Sequence, residues 1–258
     1  MRSNGRREDG ISICIPNWNH RNYLPRSIGS ALRAADNLHA RGIACQVLVV
    51  DDFSRDGSQR LLYSLAMQDA RGIVDVVLAP MNNGLGPTRD TALEHAKFRF
   101  VCFMDADNEL IPENLAAFWR TIVDTGAAFV YGNLLLVDES GAMRLISNDI
   151  LREDVYRENY IDAFALIDAD AVQSLGGYYG KHAAAHEDWE LLLHLISENQ
   201  KIVFVPLVLG YYHTSGLSMI KTIPYEHGKM HRAYSQRQTG FPAAFKSRRI
   251  YHPDLGWL

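Results

Sequence analysis

Cysteine is scarce in this 258-residue chain, with Cys14, Cys45 and Cys102 the full complement. Three scattered thiols make neither a disulfide framework nor a Cys-rich zinc site. Cys14 and Cys102 sit inside apolar, strand-like runs (ISICI and FVCFM), which reads as buried, reduced thiols. A basic excess is also missing. The 26 Lys and Arg stand against 30 Asp and Glu, a net charge of −4, which argues against a dedicated nucleic-acid binder. Long hydrophobic runs are missing too. The longest uncharged stretch, Ile202–Ile220, is interrupted by Pro206, Gly210, His213 and Gly216, so no spanning helix is expected. Met1–Gly10 is a polar, charged tail, and the five apolar-type residues before Pro16 fall far short of a signal-peptide core. Together these absences give the expectation of a soluble, cytoplasmic protein. The hydrophobic fraction of 47% is enough for a sizeable globular core, and 22% charged residues of mixed sign are too few for disorder.

What is present alternates. The β-branched run Ile11–Ile15 ends at Pro16, and Leu24, Ile28, Ala31, Leu32, Ala35 and Leu38 then recur at helical spacing. Gln46–Val50 predicts a second strand, Leu61, Leu62 and Leu65 a helix, and Val74–Leu78 a third strand. Asn82–Gly86 is a turn cluster, and Pro87 suits the opening of a helix to about Lys97. Phe100–Met104 predicts a fourth strand. A helix from about Pro112, an apolar run Phe129–Val137, a helix after Glu187 and a strand near Val203–Leu207 follow. There is no internal repeat and no low-complexity segment. Apolar strands alternating with helices predict an α/β fold, a parallel sheet covered on both faces. Such sheets bind ligands beyond the carboxyl ends of their strands, so the chemistry is sought in Pro16–His20, Asp51–Gly57, Asn82–Arg89 and Asp105–Glu109.

These loops exclude two common nucleotide binders. The first strand is followed by Pro16-Asn17-Trp18-Asn19-His20 rather than G-x-G-x-x-G, and no G-x-x-x-x-G-K-[ST] occurs anywhere. What they offer is carboxylate. Two acids at i, i+2 after a strand reach one hard cation, Mg²⁺ or Mn²⁺, which takes oxygen ligands, and such an ion neutralises a diphosphate leaving group. Asp-Ala-Asp occurs twice, at Asp105–Asp107 and at Asp168–Asp170, and spacing alone does not choose between them. For Asp168 a helix cap is the better reading, since Ala171, Val172 and Leu175 before Gly176-Gly177 form one short helix with a glycine stop.

The ordered set of segments resembles the family 2 glycosyltransferases, which have a GT-A fold. The matching pieces are ICIPNWNHRNYLPRSIGSAL, VLVVDDFSRDGS, NNGLGPTRDTALEHA, FVCFMDADN, SLGGYYG, HEDWELLLHLI and YYHTSGLSM, in order from about Ile11 to Met219. The resemblance implies a mostly parallel central sheet flanked by helices, with a more irregular acceptor-binding half. It places a nucleotide-sugar-binding half at residues 11–108 and an acceptor-binding half at 109–220, together one catalytic domain, followed by an extension at 221–258. Pro16, Trp18 and Asn19 match the segment that lines the nucleotide pocket. Asp51 or Asp52 would recognise the base or ribose, Asn83 would lie beside the nucleotide, and Arg89 stands where base or diphosphate is met. Asp105 and Asp107 match the metal- and ribose-binding D-x-D, and His213 a histidine near the diphosphate or metal. Asp188, with Glu187, matches the acidic pair whose aspartate is the usual base, and Gly177, Tyr178 and Trp189 fall on the acceptor side. The implied activity is metal-dependent, inverting transfer of a hexose-type sugar, from a UDP-sugar rather than a GDP- or dTDP-sugar, to a glycan, lipid-linked or small-molecule acceptor. Two positions depart from the pattern: Phe53 replaces the usual glycine after the paired aspartates, and Tyr211 replaces an arginine two residues before the histidine.

Other uses of the same residues stand beside these. Acids at the start of a helix favour its dipole, which alone would account for Glu187 and Asp188. His182 and His186 have the i, i+4 spacing of zinc ligands but lack a third. Trp18 and Trp189 serve equally as packing. The tail from Lys221 carries seven Lys and Arg against Glu226 and Asp254, interleaved with Phe241, Phe245, Tyr251 and Trp257. That composition suits contact with an anionic membrane surface, a solvated face or a homodimer contact. A degenerate GT-A domain acting as a partner-binding module and a sugar-1-phosphate nucleotidyltransferase are the rival functions. The latter calls for a glycine-rich, basic loop that PNWNH does not supply.

Overall fold

In four strands, alternate residues point to opposite sides of one sheet and split the core in two. β1 (Glu8–Asn17), β2 (Cys45–Asp51), β3 (Val74–Leu78) and β4 (Phe98–Phe103) are parallel, in the spatial order β3-β2-β1-β4. Ile11, Ile13, Ile15, Val47, Val49 and Cys102 pack on one side, and Cys14, Leu48, Val50, Val101 and Phe103 on the other. The first side is covered by α1 (Leu24–His39), α2 (Ser58–Gln68) and α4 (Leu115–Thr125). The second is covered by α3 (Leu85–His95), α5 (Ala169–Ser174) and α6 (Glu187–Ser197). The three cysteines are buried and free. This computed structural model describes residues 7–146, 151–156, 158–178, 187–214, 251–252 and 256–257.

Beyond β4 the sheet becomes mixed. β8 (Leu166–Asp168) runs antiparallel between β4 and β6 (Phe129–Val137). β9 (Ile202–His213) then lies parallel to β6, and β5 (Glu109–Leu110) closes that edge antiparallel to β9. β7 (Met143–Ile146) forms a hairpin with β6, and β10 (Tyr251–His252) pairs with β11 (Gly256–Trp257). A 3₁₀ turn spans Glu153–Tyr156. Among the described residues no helix is long and apolar enough to cross a membrane.

Several boundaries differ from the sequence expectation: β1 already starts at Glu8, inside the polar tail expected over residues 1–10, and runs past Pro16 to Asn17, and β4 spans Phe98–Phe103. β9 runs through Pro206 to His213 instead of stopping at Leu207. The register against β6 skips from Gly132–Val205 to Asn133–Val208, so Pro206 sits in a bulge where its missing N–H costs no ladder bond. Gly210 permits the continuation, because a Cβ there would lie 2.3 Å from the Glu109 carbonyl oxygen. α3 starts at Leu85, which puts Pro87 third in the helix, still within the first turn where N–H groups have no intrahelical acceptor. α4 begins at Leu115 rather than near Pro112.

The second Asp-Ala-Asp is structural. Asp168 Oδ1 accepts from the backbone N–H of Asp170 (3.0 Å) and Ala171 (3.2 Å), capping α5, and its Oδ2 accepts from Arg99 at 2.6 and 2.9 Å. Asp170 pairs with Arg7. Asp168→Ala removes a cap and leaves Arg99 without that partner, so unfolding free energy should fall by about 1–3 kcal/mol in denaturant titration. Nucleotide affinity should stay within about twofold, the size of a surface effect. A large loss of nucleotide binding at unchanged stability would contradict this assignment.

Candidate active site

The loops after β1 and β2 are held together by one buried carboxylate. Asn17 and Asp51 face each other across the ladder, and Asp51 accepts from Asn17 Nδ2 (2.6 Å), Ser54 N (2.9 Å) and Gln59 Nε2 (3.1 Å). Asn19, in the left-handed region at φ 56°, donates its N–H to Ser54 Oγ (2.8 Å) and accepts from Arg55 N (2.8 Å). Asp52, also buried, accepts from the N–H groups of Asn83 and Gly84 at 2.8 Å each, which fixes the turn into α3. Both aspartates therefore brace loops here, Asp51 between β1 and β2 and Asp52 toward α3. Pro16 is buried opposite Val50. Trp18 is 54% exposed, so it is not core packing. Phe53 adopts φ 63°, a conformation that favours glycine, with the Arg55 guanidinium 5.5 Å from its ring centroid.

Arg89 is the centre of the next layer. α3 buries it to 2% exposure, with Nη2 on Asp105 Oδ1 (3.1 Å) and Nη1 on Glu187 Oε1. Its guanidinium lies 5.5 Å from the Tyr178 ring and 5.9 Å from Phe103. Burial opposes the charge, but the two carboxylates outweigh it and hold the Arg89 pKa above its ordinary value. Burial pushes the Glu187 carboxyl up, against the pull of Arg89. Arg89, expected at the base or diphosphate, here places both terminal nitrogens on carboxylates, joining the loop after β4 to the first turn of α6, while its buried Nε has no hydrogen-bond partner. Asp188 follows on that turn. Asn159 Nδ2 lies 3.3 Å from each of its carboxylate oxygens, and Trp189 N donates to Oδ1 at 2.8 Å.

The loop after β4 turns at Asp105, where Asn108 N bonds the Asp105 carbonyl (3.0 Å). Burial, and then the Asp105 charge, raise the Asp107 pKa, while His20 and His213 pull it down. Close carboxylates that resist ionising together are suited to a cation. His213 lies against the same loop, donating its backbone N–H to Asn108 Oδ1 at 3.0 Å. Register places Glu109 opposite Tyr211, hence on the same face as His213, and His213 Nε2 meets Glu109 Oε1 at 2.9 Å. Among the described residues no three Asp, Glu, His or Cys side chains converge as a metal cage, so Asp105, Asp107 and His213 do not form one ligand set here. Asp105 and Asp107 fit instead the other common arrangement, in which a hard cation takes one or two carboxylates and phosphate oxygens.

Of the three expected acceptor-side residues, Tyr178 and Trp189 are buried and Gly177 is half-buried. Gly177, at φ 76°, is where a Cβ would lie 2.2 Å from Asp90 Oδ1, and the same oxygen accepts the Tyr178 N–H at 2.6 Å. Tyr178 is 2% exposed, edge-on to Phe103 at 5.2 Å. Trp189 is 1% exposed and donates its indole N–H to the Val155 carbonyl (2.6 Å). The apolar residues of α6 carry that ring into the core, so it offers no face to a sugar. His182 and His186 lie outside the described residues, as does residues 221–258 apart from the β10–β11 backbone.

Two residues the motifs did not flag stand beside this cluster. One is Asn159. The other is Asp162, half-buried, whose pKa burial, with the Asp105 and Asp188 charges, pushes up to about 7. A lone acid in the apolar run YIDAFALI was the available signal, since acids are rarely buried without a partner. Ionising Asp162 costs the folded state more than the unfolded one, a cost that grows as pH climbs from the ordinary carboxylate range to about 7. The melting temperature of Asp162→Asn should therefore exceed that of the wild type by a margin that widens from pH 5 to pH 8. A margin that stays constant in a thermal melt series would show that Asp162 is not perturbed.

The chain has recognisable relatives in sequence and in fold. Residues 12–175 match the model of glycosyl transferase family 2. The chain is 27% identical over 130 residues to the Escherichia coli UDP-Glc:alpha-D-GlcNAc-diphosphoundecaprenol beta-1,3-glucosyltransferase WfgD, a match covering 50% of this chain and 47% of that one. It spans about half, or less, of the length of the curated relatives it matches. Its fold is similar to that of S. aureus TarS 1-349 in complex with UDP-GlcNAc (TM-score 0.70, 16% identity, 88% of this chain and 66% of that one). It is also similar to the mannosyltransferase PcManGT from Pyrobaculum calidifontis in complex with GDP-Man and Mn²⁺ (TM-score 0.67, 16% identity, 94% and 68%). The sheet is that of the GT-A fold, and the chain belongs to glycosyl transferase family 2.

Proposed function

We propose that the protein is an inverting glycosyltransferase that moves a hexose-type sugar from a UDP-sugar to a hydroxyl of a glycan or lipid-linked acceptor. The observation that carries this is the Arg89 bridge, which sets Asp188 on α6 beside the Asp105–Asp107 turn. In the proposed reaction an acceptor oxygen attacks the anomeric carbon from the face opposite the diphosphate. Asp188 takes the hydroxyl proton as the new C–O bond forms, and the bond from that carbon to the diphosphate oxygen breaks, releasing the nucleoside diphosphate. Asp105 and Asp107 would hold a divalent cation, which when bound would supply charge neutralisation for the leaving diphosphate. Trp18, Asn19, Asp52 and Asn83 would frame the base and ribose beyond the ends of β1 and β2. The names of the relatives support the substrate class, since WfgD is named for UDP-Glc and a diphosphoundecaprenol-linked sugar and TarS is seen with UDP-GlcNAc.

Calorimetry with UDP, GDP and dTDP, each with Mn²⁺ and again with EDTA, tests the donor half. UDP should bind in Mn²⁺ and lose at least tenfold in affinity in EDTA. If none of the three binds under either condition, the domain is a partner-binding module rather than an enzyme. The chemical half is tested by Asp188→Asn. General-base help is typically worth about 10²–10⁴-fold, so transfer should fall by that factor while UDP affinity is kept. Retained transfer in Asp188→Asn, together with loss in Asp162→Asn, would move the base to Asp162.

A further inference from the structure

The segment between β7 and β8 carries a side chain to Asp188 for which the proposed chemistry has not yet accounted. Residues 151–156 and 158–162 lie by the first turn of α6, where the indole N–H of Trp189 bonds the Val155 carbonyl (2.6 Å) and Asn159 meets Asp188. The Glu158 N–H bonds the Asp154 carbonyl (2.9 Å), and the Tyr160 hydroxyl accepts from Arg152 N (2.8 Å). That folding brings Asn159 Nδ2 to 3.3 Å from both oxygens of Asp188. Among the described residues, Asn159 is the side chain from outside α6 that bonds the Asp188 carboxylate.

We propose that Asn159 is a positioning residue for the Asp188 carboxylate. The inference rests on the reading of Asp188 as base. The Trp189 N–H holds Asp188 Oδ1 at 2.8 Å but leaves the tilt of the carboxylate plane open, and a base must present one lone pair to the acceptor hydroxyl. A donor shared by both oxygens fixes the carboxylate plane. Being neutral, an amide also favours the ionised form without adding charge to a crowded site. The groups facing Asp188 are Glu187 on its own helix, Arg89 and Tyr178 from the α3 side, Asp162 from the overlying segment and Tyr212 from β9. Most of them turn negative when they ionise, so a charged donor is scarce and a neutral one suits the place. Trp189 gains a function from the same geometry: its buried indole anchors the segment that bears Asn159.

The test uses the full chain with UDP-glucose and Mn²⁺, following UDP release to water against pH. Asn159→Ala should lower kcat on the order of tenfold, a hydrogen bond to a charged group, with KM for UDP-glucose and the melting temperature little changed. Asn159→Asp, which places a like charge beside the base, should move the acidic limb of the rate profile to higher pH, with activity partly recovered at high pH. Asn159→Gln keeps the donor and should recover part of the loss. Wild-type kcat and rate profiles in both Asn159→Ala and Asn159→Asp would overturn the proposal. So would a loss that tracks a fall in melting temperature and is not relieved in Asn159→Gln. If Asp188→Asn itself keeps full UDP release, the reading of Asp188 as base fails instead, and that result is separate.

Discussion

A guanidinium buried between two carboxylates governs how this molecule is put together. Arg89 leaves water almost completely, which is tolerable only because Asp105 and Glu187 meet it and two aromatic rings lie against it. Each carboxylate comes from a different part of the chain, one from the loop after β4 and one from α6. The charge therefore demands that these parts arrive together. Through that demand the D-x-D turn and the acidic pair, 80 residues apart in sequence, become neighbours. The tether has a direction as well. Glu187 is consumed by it, whereas Asp188, one residue on, bonds Asn159 and the Trp189 N–H instead.

The fold was largely legible in the sequence because its first half obeys two simple periods. Strand residues such as Ile11, Ile13 and Ile15 face one helix layer while Cys14 faces the other, and the α1 stripe runs from Leu24 to Leu38 as the spacing predicts. The mixed half was less legible. β8 has three residues, too few to show a period, and the bulge at Pro206 made a long strand look short. Nothing local announces that β8 inserts between β4 and β6.

The candidate site was legible where chemistry and position coincide, and not where packing decides. The Asp105–Asp107 turn and the Glu187-Asp188 pair stand out because acids follow a strand or open a helix. The second Asp-Ala-Asp was separated from the first by its helix-stop glycines, and Arg99 on Asp168 with Arg7 on Asp170 explains why both of its acids are tolerated. Trp189, Tyr178 and Gly177 were placed at the acceptor because motifs do not show which way a side chain turns. Their partners, Val155, Phe103 and Asp90, are remote in sequence. Asn159 lay outside every motif for the same reason, since its meaning comes from a segment pinned by an indole rather than from its neighbours in the chain.

The antiparallel strand between β4 and β6 has a consequence for how the protein is made. Ribosomes deliver chains from the N-terminus at about 5–20 residues per second. β1 to β4 can pair as soon as they emerge, but the outer edge of β4 has no partner until β8, more than 60 residues later, has been synthesised. For several seconds the nascent sheet carries an unpaired edge beside an apolar strand, the kind of surface that recruits other chains. Arg89 waits longer still, because Glu187 follows the end of β8 by 19 residues. The nucleotide half thus waits on its successor during synthesis, and chaperone dependence should concentrate in that window rather than at the end of translation.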